Sequence, residues 1–168
     1  HPTPGVIVFP PLLGLRLHAA PTQAGGAALD WFCGWAGLTP EAATALAAAN
    51  PRAGLTPLFL PQLQGERAPL WDAALRGAFL GLDASAGLAD LARAVMEGVG
   101  FAARHAFEAA EASAGIRPER ITCGGGGFAS PVWTAIKAAI HGRPLVPLKV
   151  NEPGILGAAA LAAGGRHD

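Results

Sequence analysis

A chain of 168 residues with a formal net charge of zero and 14% charged side chains carries no electrostatic footprint for nucleic acid or an anionic membrane surface. That length provides one domain with a substantial core and is too short for two. No run of about 18 apolar residues exists, and no basic segment precedes the apolar stretch Val6 to Leu17, which Pro10, Pro11 and Arg16 interrupt, so neither a transmembrane helix nor a targeting address is expected.

Leu12, Leu13, Leu15 and Leu17, alternating with Gly14, Arg16 and His18, predict a strand with one wetted face, broken by Pro21, Gly25 and Gly26. From Ala27 to Trp35 the spacing is helical, with Leu29, Phe32 and Trp35 on one side. A second helix, Glu41 to Ala49, is opened by Thr39 as cap and Pro40 as first residue, and stopped by Asn50 and Pro51. Leu58 to Leu60 predicts a strand leading into the loop PQLQGERAPLWD, Pro61 to Asp72, which concentrates Glu66, Arg67 and Asp72 in a segment otherwise poor in charge. An ion pair that fixes a turn is the plainer reading of that cluster. The sharper reading puts it at the mouth of a cleft, since loops set on a rigid scaffold carry much of protein chemistry.

Gly77 to Leu82 predicts a compact strand, and Ser85 is the cap candidate for the longest helix, Gly87 to Ala114. Leu88, Leu91, Val95, Val99 and Ala102 make its apolar stripe. Gly98 and Gly100 each lower its helix propensity by about 1 kcal/mol, so close packing against the sheet is the expected compensation. Glu97, beside the stripe, reads as a satisfied structural carboxylate.

Ile121, Thr122 and Cys123 predict a short strand that breaks into four consecutive glycines, Gly124 to Gly127. Without Cβ atoms a flat ring or a phosphate can approach such a turn closely. Ser130 is an N-cap candidate and Pro131 the first residue of the next helix, whose open N–H groups would point back toward the glycines and suit an anion or a ribose. The run is neither the GxxxxGK[ST] phosphate loop nor the GxGxxG dinucleotide fingerprint, and taken by itself it reads first as packing. Leu145 to Leu148 predicts a last strand and Gly154 to Ala163 a last helix. Alternation in the second half implies parallel strands joined by right-handed crossovers. Cys33 and Cys123, the only cysteines, lack metal-ligand spacing and read as buried free thiols in a reducing, cytoplasmic compartment.

The segments Gly77, Phe79, Gly81, Leu82, Asp90, Leu91 and Ala94 to Glu97 together resemble the long signature of the FGGY carbohydrate kinases. LPQLQGERAPLWD at Leu60 to Asp72, AGGAALDW at Ala24 to Trp31, GGGGFASPVW at Gly124 to Trp133 and EPGILGAAALA at Glu152 to Ala162 resemble further family segments, so the similarity covers nearly the whole chain. It implies an α/β domain of the actin-like ATPase, ribonuclease-H-like class, over residues 1–168, the second of two domains that close over ATP and a sugar. Carried over residue by residue, Gly125, Gly126, Gly127, Ser130 and Ser85 would contact the nucleotide, while Glu66 and Arg67 would face the substrate cleft. Ala129 departs from the basic or amide residue often found before the serine.

The resemblance further implies Mg²⁺ held mainly by phosphates and water, and a catalytic aspartate and a GTS-type phosphate turn lying upstream of His1, in or next to the family's own N-terminal domain. The expectation is therefore half an enzyme, silent in catalysis by itself, with no catalytic residue or metal ligand assigned. The GERAP segment leans toward a xylulose or gluconate substrate over glycerol. The alternative is a non-catalytic module that binds a nucleotide or a partner protein on an actin-like surface. Trp31, Trp35 and the first short helices offer a surface for a homodimer.

Overall fold

The structure, a computed structural model, describes residues 3–50, 57–150 and 152–164. Its centre is the helix α3, Leu88–Ala114, whose buried stretch runs from Ala92 to Gly100 and which packs chiefly against four other elements. Two of these are helices that precede it: α1, Gly26–Ala36, and α2, Pro40–Ala49. The third is β3, Leu58–Leu60, and the fourth is α4, Pro131–His141. Phe32, Val95, Met96, Trp133 and Ile136 form the middle of the resulting core, and the Trp133 indole Nε1 donates to the Met96 carbonyl at 3.0 Å.

Gly98 has the compensation expected of it, close packing against a strand, whereas Gly100 packs closely against a helix. A Cβ on Gly98 would stand 2.3 Å from the Phe59 carbonyl oxygen, so the glycine lets α3 lie directly on β3. At Gly100 the neighbour is instead the tip of Ile140 on α4, 2.6 Å from the Cβ position. Glu97 is paired with Arg93 at 2.6 Å, as a structural carboxylate should be.

Local signals are well expressed in α2, where the Thr39 hydroxyl accepts from the Ala42 N–H at 3.2 Å and Pro40 opens the helix. Pro51, expected to stop it, lies outside the described residues, as does His1. In α1 the buried side is Ala28, Leu29, Phe32 and Cys33, whereas Trp35 is exposed. Six residues from Leu29 is 240° around a helix, which turns Trp35 off the face it was expected to share.

The sheet differs from expectation in two places. Leu12 to Leu17 is not a strand; it is the tip of a hairpin whose arms are β1, Ile7–Val8, and β2, His18–Ala19. Leu12 and Leu15 exchange hydrogen bonds of 2.8 and 2.9 Å around Leu13 and Gly14, both at positive φ, the backbone signature of a two-residue hairpin turn. The leucines that suggested a half-buried strand are all exposed.

The second difference is that β4, Ala78–Leu80, pairs with β3 and not with the later strands. The pairing is antiparallel, with Phe59 opposite Phe79. Only β5, Ile121–Cys123, and β6, Leu145–Pro147, are parallel, with α4 between them in the chain. The described residues thus form three two-stranded sheets, two antiparallel and one parallel. The chain ends its described part with α5, Pro153–Gly164. Among the described residues no helix is long and apolar enough to cross a membrane.

Candidate functional site

The site is built where β5 runs out. Gly124 continues the strand direction, Gly125 turns at φ 93°, and Gly126–Phe128 makes one 3₁₀ turn closed by Phe128 and Ala129 donating to the carbonyls of Gly125 and Gly126, both at 3.1 Å. The φ of Gly125 lies where L side chains rarely go. Ser130 then caps α4 as expected, its Oγ accepting from the Trp133 N–H at 3.3 Å. Its O–H proton remains available to a ligand.

A cleft of about 710 Å³ opens between this turn and the two early helices. One wall is Gly126, Gly127, Ser130 and the start of α4; the other is Gly26, Leu29 and Asp30 of α1 with Glu41 and Thr44 of α2. A mostly apolar hollow with a few convergent polar groups is the usual form of a small-molecule site. At Gly126 a Cβ would meet nothing within 4 Å, so any side chain there would project into open space at the cleft wall. Gly125 faces the opposite side, where a second hollow of about 360 Å³ lies between the glycines and Pro147, Leu148 and Val150.

The remaining sequence-predicted residues lie elsewhere. Ser85 does not cap α3; Gly87 does, with its N–H donated to the Asp90 carboxylate at 2.9 Å. The Ser85 hydroxyl is drawn instead to Asp83, at 2.6 Å, and these bonds hold the Asp83 carboxyl below the usual range. Ser85 is not on the wall of either glycine-turn hollow.

Glu66 is buried and accepts from the Thr22 hydroxyl at 2.9 and 3.0 Å, from the Gln23 N–H at 2.6 Å and from the Arg67 N–H at 2.9 Å. Its carboxylate therefore ties the GER loop to the segment that leads into α1. Arg67 is exposed and donates to the Gln23 side chain at 2.6 Å, so of the pair it is the guanidinium that a ligand can reach.

Sequence reasoning missed Lys137. It is buried on α4, donates to the Gly127 carbonyl at 2.8 Å, and lies 4.2 and 4.0 Å from the ring centres of Phe128 and Trp133. Burial pushes its ammonium down to about 8. The signal was present: Trp133, Ile136, Lys137 and Ile140 share a helical stripe, and a lysine within such a stripe needs a partner. Cys33 and Cys123 are buried free thiols, as expected, both pushed up by burial.

No cluster of three or more His, Cys, Asp or Glu side chains able to hold a metal exists among the described residues. The cleft suits a nucleoside better than a phosphate chain, because Asp30 and Glu41 would accept hydrogen bonds from hydroxyl or amino groups and repel anions.

Residues 2–165 match the profile of the FGGY family of carbohydrate kinases, C-terminal domain. The chain belongs to this family. It is 40% identical over 159 residues to a xylulose kinase of Klebsiella pneumoniae, covering 94% of this chain and 31% of that protein. Among solved structures it superimposes on a ligand-bound xylulose kinase from Lactobacillus acidophilus with a TM-score of 0.86 and 31% identity, over 98% of this chain and 34% of that one. A gluconate kinase from the same organism gives a TM-score of 0.81 and 30% identity, again over 98% and 34%. The chain spans about a third of the length of the relatives it matches. As an FGGY C-terminal domain it has the actin-like, ribonuclease-H-like α/β fold, and its three short sheets are a partial form of that architecture.

Proposed function

We propose that this chain is the nucleotide-binding half of a cytoplasmic, ATP-dependent carbohydrate kinase of the xylulose or gluconate class. The observation that carries the reading is the 710 Å³ cleft set against a turn without Cβ atoms, at Gly126 and Gly127. A purine and its ribose would lie along that wall, with Leu29, Val132 and Trp133 as apolar lining and the Ser130 hydroxyl, Asp30 and Glu41 as polar contacts. Gly125 would support the turn from behind. Bound ATP with Mg²⁺ supplies the γ-phosphoryl group for transfer and the charge that stabilises it.

The rest of the machinery falls to the partner domain found in longer relatives: most of the sugar pocket, and the base that takes the hydroxyl proton. Arg67, exposed beside Gln23, is this chain's cationic candidate for the substrate side of the cleft. Domain closure would exclude water from the transfer. The relatives named xylulose kinase and gluconate kinase favour a sugar or sugar acid of that size as acceptor.

Calorimetric titration of Mg-ADP into the chain tests the reading, with Gly126→Val as the paired variant. Saturable binding that the variant loses is the expected result, because the valine side chain would occupy the cleft wall. Equal binding by both would remove the nucleotide from this turn.

A further inference from the structure

Three glycines in succession at 125 to 127 have no side-chain preference of their own, and ordering them costs more backbone entropy than ordering any other residue. Something outside the turn must therefore choose its conformation. Two backbone hydrogen bonds close the 3₁₀ turn, and two side chains of α4 reach back to it: Thr134 donates to the Phe128 carbonyl at 3.3 Å and Lys137 to the Gly127 carbonyl at 2.8 Å. Only the second of these carries charge and acts on a residue of the cleft wall.

A leucine or methionine at 137 would fill the same stripe of α4 with no desolvation cost. The chain instead buries an ammonium and offsets it with two ring faces and one carbonyl. The fit is close, since a Cβ on Gly127 would come within 3.1 Å of Nζ. Such an arrangement sacrifices folding stability to hold one peptide group in place.

We propose that Lys137 is a positioning residue for the nucleotide: by donating from between the Phe128 and Trp133 rings to the Gly127 carbonyl, its ammonium orients the main chain of the cleft wall, so that nucleotide affinity depends on its charge. The proposal rests on the nucleotide reading of the cleft given above. Lys137 acts through Gly127 and touches no reacting atom.

The groups around it leave the charge of Lys137 as the variable between pH 7 and 9. On β5 the Cys123 thiol is pushed up by burial and stays neutral there. On α4 itself, His141 lies one turn on and is held below the usual imidazole range by burial and by Arg143 and Arg104, so it too is neutral. The 3₁₀ turn and β6 carry no ionisable side chain, and α3 meets Lys137 at Gly100. The nucleotide phosphates have lost their last proton by about pH 6 to 7.

The test measures Mg-ADP affinity and urea stability of the chain at several pH values from 7 to 9, for the wild type, Lys137→Met and Gly126→Val. The wild type should bind Mg-ADP on the order of fivefold more weakly at pH 9 than at pH 7, as a charge-assisted hydrogen bond becomes a neutral one. Over the same range its folding stability relative to Lys137→Met should rise, because the buried charge is being removed. Lys137→Met should bind with the weaker affinity at every pH while folding at least as well as the wild type near pH 7. A purely structural lysine would move affinity and stability in the same direction, and that result overturns the proposal. So does a flat wild-type affinity, a measurement that depends on no variant folding. If Gly126→Val abolishes binding while the wild-type affinity stays flat, the lysine proposal fails and the nucleotide reading survives; if the wild type binds no Mg-ADP, both fail together.

Discussion

Replacing Gly98 by alanine sets two known effects against each other. In an exposed helix the change would stabilise by about 1 kcal/mol, since alanine gives up less backbone entropy. Here the new Cβ would start 2.3 Å from the Phe59 carbonyl oxygen, 3.1 Å from its carbon and 3.2 Å from its Cβ. Ordinary contact begins about 3.4 Å away, so α3 and β3 must separate by roughly 1 Å. Overpacking of a tight core costs about 1–3 kcal/mol and sometimes more, and a clash with backbone belongs at the upper end because no rotamer change relieves it. The net expectation is a loss of about 2 kcal/mol, or roughly 1 M in the urea midpoint for an m-value near 2 kcal/mol/M. Gly100→Ala is the internal control. Its Cβ meets the Cδ1 tip of Ile140 at 2.6 Å, which a rotamer change can withdraw, so that variant should stay within about 1 kcal/mol of the wild type. Equal stability of Gly98→Ala and wild type, or a ranking with Gly100→Ala the weaker, would refute the close helix-on-strand contact.

Two further outcomes follow from buried polar groups. Glu66→Gln replaces a buried acceptor with an amide whose NH₂ faces N–H and O–H donors, and should cost about 2 kcal/mol in thermal or urea unfolding; an unchanged midpoint would mean that the carboxylate does not tie the GER loop to the α1 entry. Lys137 gives a pH signature: its ammonium titrates at about 8 when folded and near 10.4 when unfolded, so the unfolded chain holds more protons between those values and stability rises with pH there. From pH 7.5 to 9 the gain is about 1 kcal/mol. Within the same range it is opposed by Cys33 and Cys123, whose thiols ionise at about 8.5 in the unfolded chain while burial pushes them up in the folded one. Urea melts of the wild type and Lys137→Met at both pH values isolate the lysine contribution as the difference between their slopes.

Much of the glycine turn was legible because its determinants lie within a few residues of one another. Ser130 and Pro131 define a helix start by their own chemistry, as Thr39 and Pro40 do, and a glycine run leaves the chain free to turn wherever it falls. The long helix was equally plain from its stripe, while its starting residue was not. Ser85 and Gly87 both suit a cap, and the choice was made by Asp83, which holds the Ser85 hydroxyl, and by Asp90, which takes the Gly87 N–H. Alternating leucines at 12 to 17 imitate a strand in one dimension, but Leu13 at φ 50° belongs to a turn that hydrophobic spacing does not encode.

By itself, then, the sequence determined the helices, the Thr39 and Ser130 caps, the glycine turn and the family, since each is written in residues close together or in a shared string of motifs. Tertiary structure decided which surfaces meet: that β4 returns antiparallel to β3, that Glu66 closes on Thr22 and Gln23, and that Lys137 is buried between two rings beneath Gly127. Those outcomes join segments distant in the chain or side chains a helical turn apart, and their energies come from burial and hydrogen bonding that exist only once the elements have packed.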